Sequence, residues 1–178
     1  MARAPQFRQR IYRPVLLVIP ALFVLWFTAC EKDDICVDGD TPQLVITFFD
    51  YTQPETARAV NKLRVIGLGK GTPVDTFSDR SNQDSIGLPL RADQTRTGFV
   101  FIADSADDAD GNETGNRDTL YFDYETRSVY ISRACGFVPN FDGLSASPLP
   151  DTSIWIDSVA IRQTTIENAS NAHVSIYY

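Results

Sequence analysis

From residue 43 onward, apolar side chains recur in short runs, several at every second position, and polar or turn-forming residues separate the runs. The run at 43–49 is β-branched and aromatic, and 63–68 alternates. In 84–90, Ile86, Leu88 and Leu90 fall on one side; 98–102 is a short continuous apolar run. The runs at 119–124 and 129–132 flank polar 125–128, which reads as a hairpin turn; 153–161 is long enough to hold a bend, and 173–177 is the last run. Period-two alternation puts one face of a strand inward, and short strands at near-even spacing specify a sandwich or barrel. The expectation is all-β, an antiparallel β-sandwich over residues 42–178, of which an immunoglobulin-like arrangement is one form. No long helical periodicity competes; 53–60 offers at most one helical turn. Two segments read as loops: acidic 104–116, and 136–151 with Pro139, Pro148 and Pro150.

Before this domain stands a segment of different character. Arg3, Arg8, Arg10 and Arg13 precede an apolar stretch at 15–27, which ends shortly before Cys30. The stretch is 13 residues, within the roughly 7–15 of a signal peptide and short of the about 20 that span a bilayer. Pro20 interrupts it, which a membrane helix tolerates poorly. Phe27-Thr28-Ala29-Cys30 resembles a bacterial lipobox, with Phe27 where Leu is usual. Residues 1–29 then form a lipoprotein signal peptide, and Cys30 carries diacylglycerol and an amide-linked fatty acid such as palmitate. Residues 30–41 form the acylated tether. The competing readings are an ordinary signal peptide with an incidental cysteine, and an uncleaved anchor helix. Lys32, Asp33 and Asp34 complete a Cys-x-Lys-Asp-Asp sequence that resembles the export signal sending lipoproteins of Bacteroidetes to the cell surface. Read instead as a solvated charged tether, it leaves the domain on the periplasmic face.

The signal segment holds four of the 16 basic residues and none of the 23 acidic ones, so its removal takes the net charge from −7 to about −11. So acidic a surface repels nucleic acid and anionic lipid. Of three cysteines, acylation of Cys30 leaves Cys36 and Cys135. Two thiols in an exported protein pair without remainder; two buried free thiols are the alternative. With one histidine, a zinc-type site is not expected.

The sequence offers few chemical candidates. Asp104, Asp108 and Asp110 could give oxygen ligands to calcium, but Ala106 breaks the alternation an EF-hand loop needs. A solvated loop is the stronger reading. Gly67-Leu68-Gly69-Lys70-Gly71-Thr72 lacks both the hydroxyl residue after the lysine and the first glycine of the motif, so it is a turn and not a phosphate loop. His173 lies in a strand, and no serine sits in a nucleophile-elbow sequence, so it reads as structural. Acidic residues are plentiful, but none pair recognisably as glycosidase carboxylates. Ser85, Ser105, Thr119 and Ser158 each follow Asp and precede a small or aliphatic residue, which resembles the O-glycosylation sequence of exported Bacteroidetes proteins. The frequent aromatics, Phe48, Phe99, Tyr121 and Trp155 among them, have the spacing of core residues.

Several stretches together resemble the lipoprotein family of Bacteroidetes catalogued as domain of unknown function 6452. They are Cys30-Glu31-Lys32-Asp33-Asp34-Ile35-Cys36, Thr41-Pro42-Gln43-Leu44, Asp84 through Leu90, Asp118 through Tyr124, and Val129 through Phe137. The most specific is Ser132-Arg133-Ala134-Cys135-Gly136-Phe137. The resemblance covers most of the mature chain and brings no activity or substrate. It implies an envelope lipoprotein with Cys36 and Cys135 as a pair. The expected function is a non-enzymatic binding or accessory module of the outer membrane, without cofactor, held by its lipid and serving an outer-membrane β-barrel protein. The alternative is a glycan-binding module or glycoside hydrolase at the cell surface.

Overall fold

The computed structural model describes residue 36 and residues 40–178. The signal segment, Cys30, Lys32, Asp33 and Asp34 lie outside the described residues. Nine strands follow in order: β1 Leu44–Phe49, β2 Val60–Gly67, β3 Ser81–Gln83, β4 Ser85–Leu88, β5 Arg96–Ala103, β6 Asn116–Ser132, β7 Gly136–Pro148, β8 Ser158–Ile161 and β9 Val174–Tyr177. No helix occurs among the described residues; 53–60 forms turns without a helix and then enters β2.

The strands form two sheets, β4-β1-β9-β8 and β3-β2-β5-β6-β7. The chain passes between them four times, once within the single residue Asp84 that separates β3 from β4. Alternation accounts for the packing. Leu44, Ile46 and Phe48 from β1, Phe99 and Phe101 from β5, and Leu120, Phe122 and Tyr124 from β6 all point inward and share one core. At about 25 cal/mol per Å² of apolar surface removed from water, burial on this scale is the dominant stabilising term. The all-β sandwich expected from the sequence is therefore present. Its sheets are mostly antiparallel, but β1 and β9 pair in parallel, Ile46 opposite Val174. β1 lies between β4 and β9, whereas the first strand of an immunoglobulin domain lies beside the second.

Three expectations are corrected. Residues 125–128 make no turn; β6 runs unbroken through them for 17 residues. These residues are exposed on both faces, so polarity there reflects solvent and not a reversal. The reversal comes at 133–135, and Gly136 (φ 69°), the first residue after it, takes a backbone conformation open to glycine. Likewise 136–151 is not a loop, because most of it is β7. Its prolines are tolerated because β7 is an edge strand. The N–H of Phe141 points off that edge to the carbonyl of Ile166 at 3.1 Å. Pro139, two residues earlier, faces the same way, so its missing N–H costs no ladder bond. Residues 153–157, expected in a strand, run irregularly into the four-residue β8.

Cys36 and Cys135 lie at disulfide-bonding distance, with Cα atoms 4.9 Å and sulfurs 2.06 Å apart. The bond joins the residue six places after Cys30 to the β6–β7 turn.

Candidate functional site

Arg96 and Gly98 of β5 stand directly opposite Asp123 and Tyr121 of β6. Gly98 has no side chain, so the Tyr121 ring and the Leu68 side chain close over its backbone. A Cβ there would lie 2.4 Å from Leu68 Cδ1 and 2.9 Å from Tyr121 Cε1. The result is a cleft of about 340 Å³. Leu68, Val74, Pro89, Phe99 and Tyr121 give it apolar walls, and Lys70, Arg91 and Arg96 bring three cations to it. Two of these cations, Arg91 and Arg96, are paired with Asp93 and Asp123.

The cations are positioned by folded structure. Arg91 lies in the β4–β5 connection, which is pinned by a polar knot. The Tyr124 hydroxyl accepts from the Arg91 N–H at 3.0 Å and donates to the Arg91 carbonyl at 2.8 Å. Thr97 Oγ1 lies 2.5 Å from the same hydroxyl and 3.2 Å from the Arg91 N–H. Arg96 donates to Asp123 at 2.5 and 3.0 Å, and its guanidinium sits 5.3 Å from the Tyr121 ring centroid. That pair holds Asp123 below the usual carboxylate range. Arg91 does the same to Asp93 through its side-chain hydrogen bonds. Neither aspartate is therefore protonated at neutral pH. The cleft can bind an apolar group beside a negative charge.

The acidic loop does other work. Glu113 is only 8 % exposed in its side chain. It accepts from Ser105 Oγ at 2.7 Å, from the N–H groups of Ala106 and Gly115 at 3.0 Å, and from Arg64 at 3.1 Å. Arg80 reaches it at 3.4 Å. Burial alone would raise its pKa, but the hydrogen bonds outweigh burial and bring it down to about 2. Arg64 and Arg80 also pair with Asp79 and Asp107. The loop is thus fastened to β2 and the segment before β3.

Within it, Asp108 accepts from the N–H groups of Asp110 at 2.9 Å and Asn112 at 2.8 Å, and Asp104 accepts from Asn61 at 2.5 Å. The three calcium candidates Asp104, Asp108 and Asp110 are not brought together: no group of three or more Asp, Glu, His or Cys residues fit to hold a metal occurs among the described residues.

Of the glycosylation candidates, Ser85 and Ser158 are exposed and Thr119 is half-buried. Ser105 is corrected: it is 1 % exposed, donating to Glu113 and accepting from Arg80, and a sugar has no room there. His173 is buried, and its Nδ1 accepts from the N–H of Val45 at 3.0 Å, helping to tie β1 to the start of β9. Burial pushes its pKa down, against a smaller opposing effect of the Asn168 backbone. Asp118, also buried, accepts from the N–H groups of Trp155 and Ile156 at 2.9 and 2.7 Å.

Sequence reasoning missed Arg91, Arg96 and Tyr121 as a group. The available signal was Gly98, an isolated glycine inside a strand pattern, which often marks a close approach of other groups to the backbone.

A family profile described as "Family of unknown function (DUF6452)" matches residues 62–178. No curated protein and no solved structure matches. The match begins in β2 and runs through the cleft, the acidic loop, the β6–β7 hairpin and β9, and on this evidence the chain belongs to that family of unknown function.

Proposed function

We propose that this protein is a lipid-anchored, non-enzymatic binding module of the bacterial outer membrane, of the kind found in Bacteroidetes. Cys30 carries the acyl chains, which at about 0.8 kcal/mol per buried CH₂ hold it stably on a membrane. Lys32, Asp33 and Asp34 send it to the cell surface; retention on the periplasmic face is the variant of this reading. The observation that carries it is the pairing of Cys36 with Cys135. Of the three cysteines, that bond takes two and leaves the lipobox thiol for acylation. The use of the buried acid–base groups also supports it. Glu113, His173 and one carboxylate oxygen of Asp118 are engaged by backbone or arginine donors.

The cleft suits an apolar side chain flanked by a carboxylate, as on an exposed loop of an outer-membrane β-barrel protein. Glycan hydrolysis fits less well, since Asp93 and Asp123 are both arginine-paired and held ionised. A sugar stacking on Tyr121 would compete with the Arg96 guanidinium.

The test is metabolic labelling with a fatty-acid probe, protease shaving of intact cells, and crosslinked pull-down. Label should vanish in Cys30→Ala, and a specific envelope protein should be recovered and then lost in Lys70→Glu. An intact amino terminus without acyl mass overturns the anchor. Recovery of abundant bystanders alone overturns the binding role.

A further inference from the structure

The outer part of the β6–β7 hairpin is an arm with an aromatic end. Tyr130 and Phe137 are direct cross-strand partners, with rings 5.4 Å apart in a T-shaped arrangement. They are 54 % and 69 % exposed. Ile131, also exposed, is the extra residue of a bulge between Tyr130 and Ser132. Scattered apolar residues on a surface are ordinary, but neighbouring ones at a hairpin end form a patch that water does not favour. No acidic residue lies between Glu125 and Asp142, while Arg127 and Arg133 do. The hairpin end itself thus adds no negative charge against a bilayer.

The disulfide says what covers the patch. Cys135 sits in the turn of this hairpin and is bonded to Cys36. From Cys36 back to Cys30 is six peptide steps, a reach of at most about 22 Å. Whatever holds Cys30 holds the aromatic end nearby. Resting on the reading of Cys30 as acylated, we propose that Tyr130, Ile131 and Phe137 form a membrane-interface contact, seated among lipid headgroups beside the anchor. Tyr130, an aromatic with a polar edge, favours that depth, and Ile131 and Phe137 supply apolar surface beside it. The disulfide shortens the leash, so the domain stands on the hairpin end instead of swinging on its tether. Tyr121 is nine residues along β6 from Tyr130, about 30 Å at the rise of a strand. The cleft is then held away from the bilayer.

The test uses full-chain, acylated protein in phosphatidylcholine vesicles with and without dibrominated acyl chains. Phe137→Trp places a reporter in the patch. Leu149→Trp places one at an exposed position beyond the far end of β7, about 40 Å away along the strand. Emission is corrected for the native Trp155. The brominated lipid should quench the Phe137→Trp reporter at least twofold and leave the Leu149→Trp reporter unchanged. Adding Cys135→Ser to Phe137→Trp should abolish the quenching while acylation persists.

Intact mass is measured first, which separates the two readings. Missing acyl mass defeats the anchor, whereas acylated protein with an unquenched Phe137→Trp reporter defeats the interface contact alone. A blue shift seen only in native membranes, never in protein-free vesicles, assigns the patch to a protein partner and overturns the lipid contact. Quenching that survives Cys135→Ser overturns the leash.

Discussion

The hydroxyl of Tyr124 closes a ring of hydrogen bonds on the backbone of Arg91, accepting its N–H and donating to its carbonyl. Tyr124 faces the core from β6, while Arg91 lies on the connection that brings a cation to the cleft. One side chain thus couples core packing to the placement of the candidate site. Tyr124→Phe keeps the ring and removes the knot. It should destabilise the domain by about 1–3 kcal/mol, the cost of stranding buried polar groups. Urea denaturation reads this as a lower midpoint with an unchanged slope.

Gly98 should not accept a side chain. Leu68 can swing its terminal methyl aside, but the Tyr121 ring is stiffer and sits 2.9 Å from the new carbon. Gly98→Ala should cost about 1 kcal/mol and Gly98→Val about 3, within the range for overpacking. The cost of Gly98→Ala should shrink in a Tyr121→Ala background, which a double-mutant cycle measures.

Glu113 should make stability acid-sensitive. Its folded pKa of about 2 lies below its ordinary 4.5. The carboxylate form is favoured by folding, so its contribution is complete above pH about 4.5. That contribution is lost as pH falls toward 2. Glu113→Gln should cost about 2 kcal/mol at neutral pH, a typical value for hydrogen bonds to a charged group. It should also flatten the decline between pH 4.5 and 2 in a series of urea midpoints.

His173 should add a second, higher window. Its pKa is depressed by burial from the ordinary 6.5. The unfolded chain therefore takes up the proton first, and stability falls as pH drops below about 6.5 toward the folded value. Protonation would also replace the acceptor of the Val45 N–H by a donor. A His173→Gln variant should lose this part of the pH dependence, visible in midpoints taken between pH 7 and 5.

Removing the disulfide should cost about 2–5 kcal/mol, since the bond closes a loop spanning 99 residues. Cys135→Ser should melt lower than the oxidised protein and at the same temperature with or without reductant. The wild-type chain should lose stability when reduced.

Much of the sandwich was legible because alternation is a local property. Leu44, Ile46 and Phe48 announce an inward face without reference to anything distant, and so do Leu120 and Phe122. The reading failed where burial did not alternate. In 125–128 both faces meet solvent, so a strand interior looked like a turn. Pro139 and Pro148 suggested a loop because a sequence does not reveal which strand will be an edge. The acidic loop was visible, but Arg64 and Arg80, which pin it through Glu113, belong to segments remote in sequence.

The amino-acid order alone set the strand content, the inward residues and the even number of cysteines left after Cys30, because these follow from nearest-neighbour geometry and simple counting. Only the folded chain decided that β1 lies parallel to β9, that Tyr121 closes over Gly98 among three cations, and that Cys36 meets the end of an exposed aromatic hairpin. Each of those depends on which distant segments find one another. That choice is made by packing the whole core at once, and no short stretch of residues encodes it.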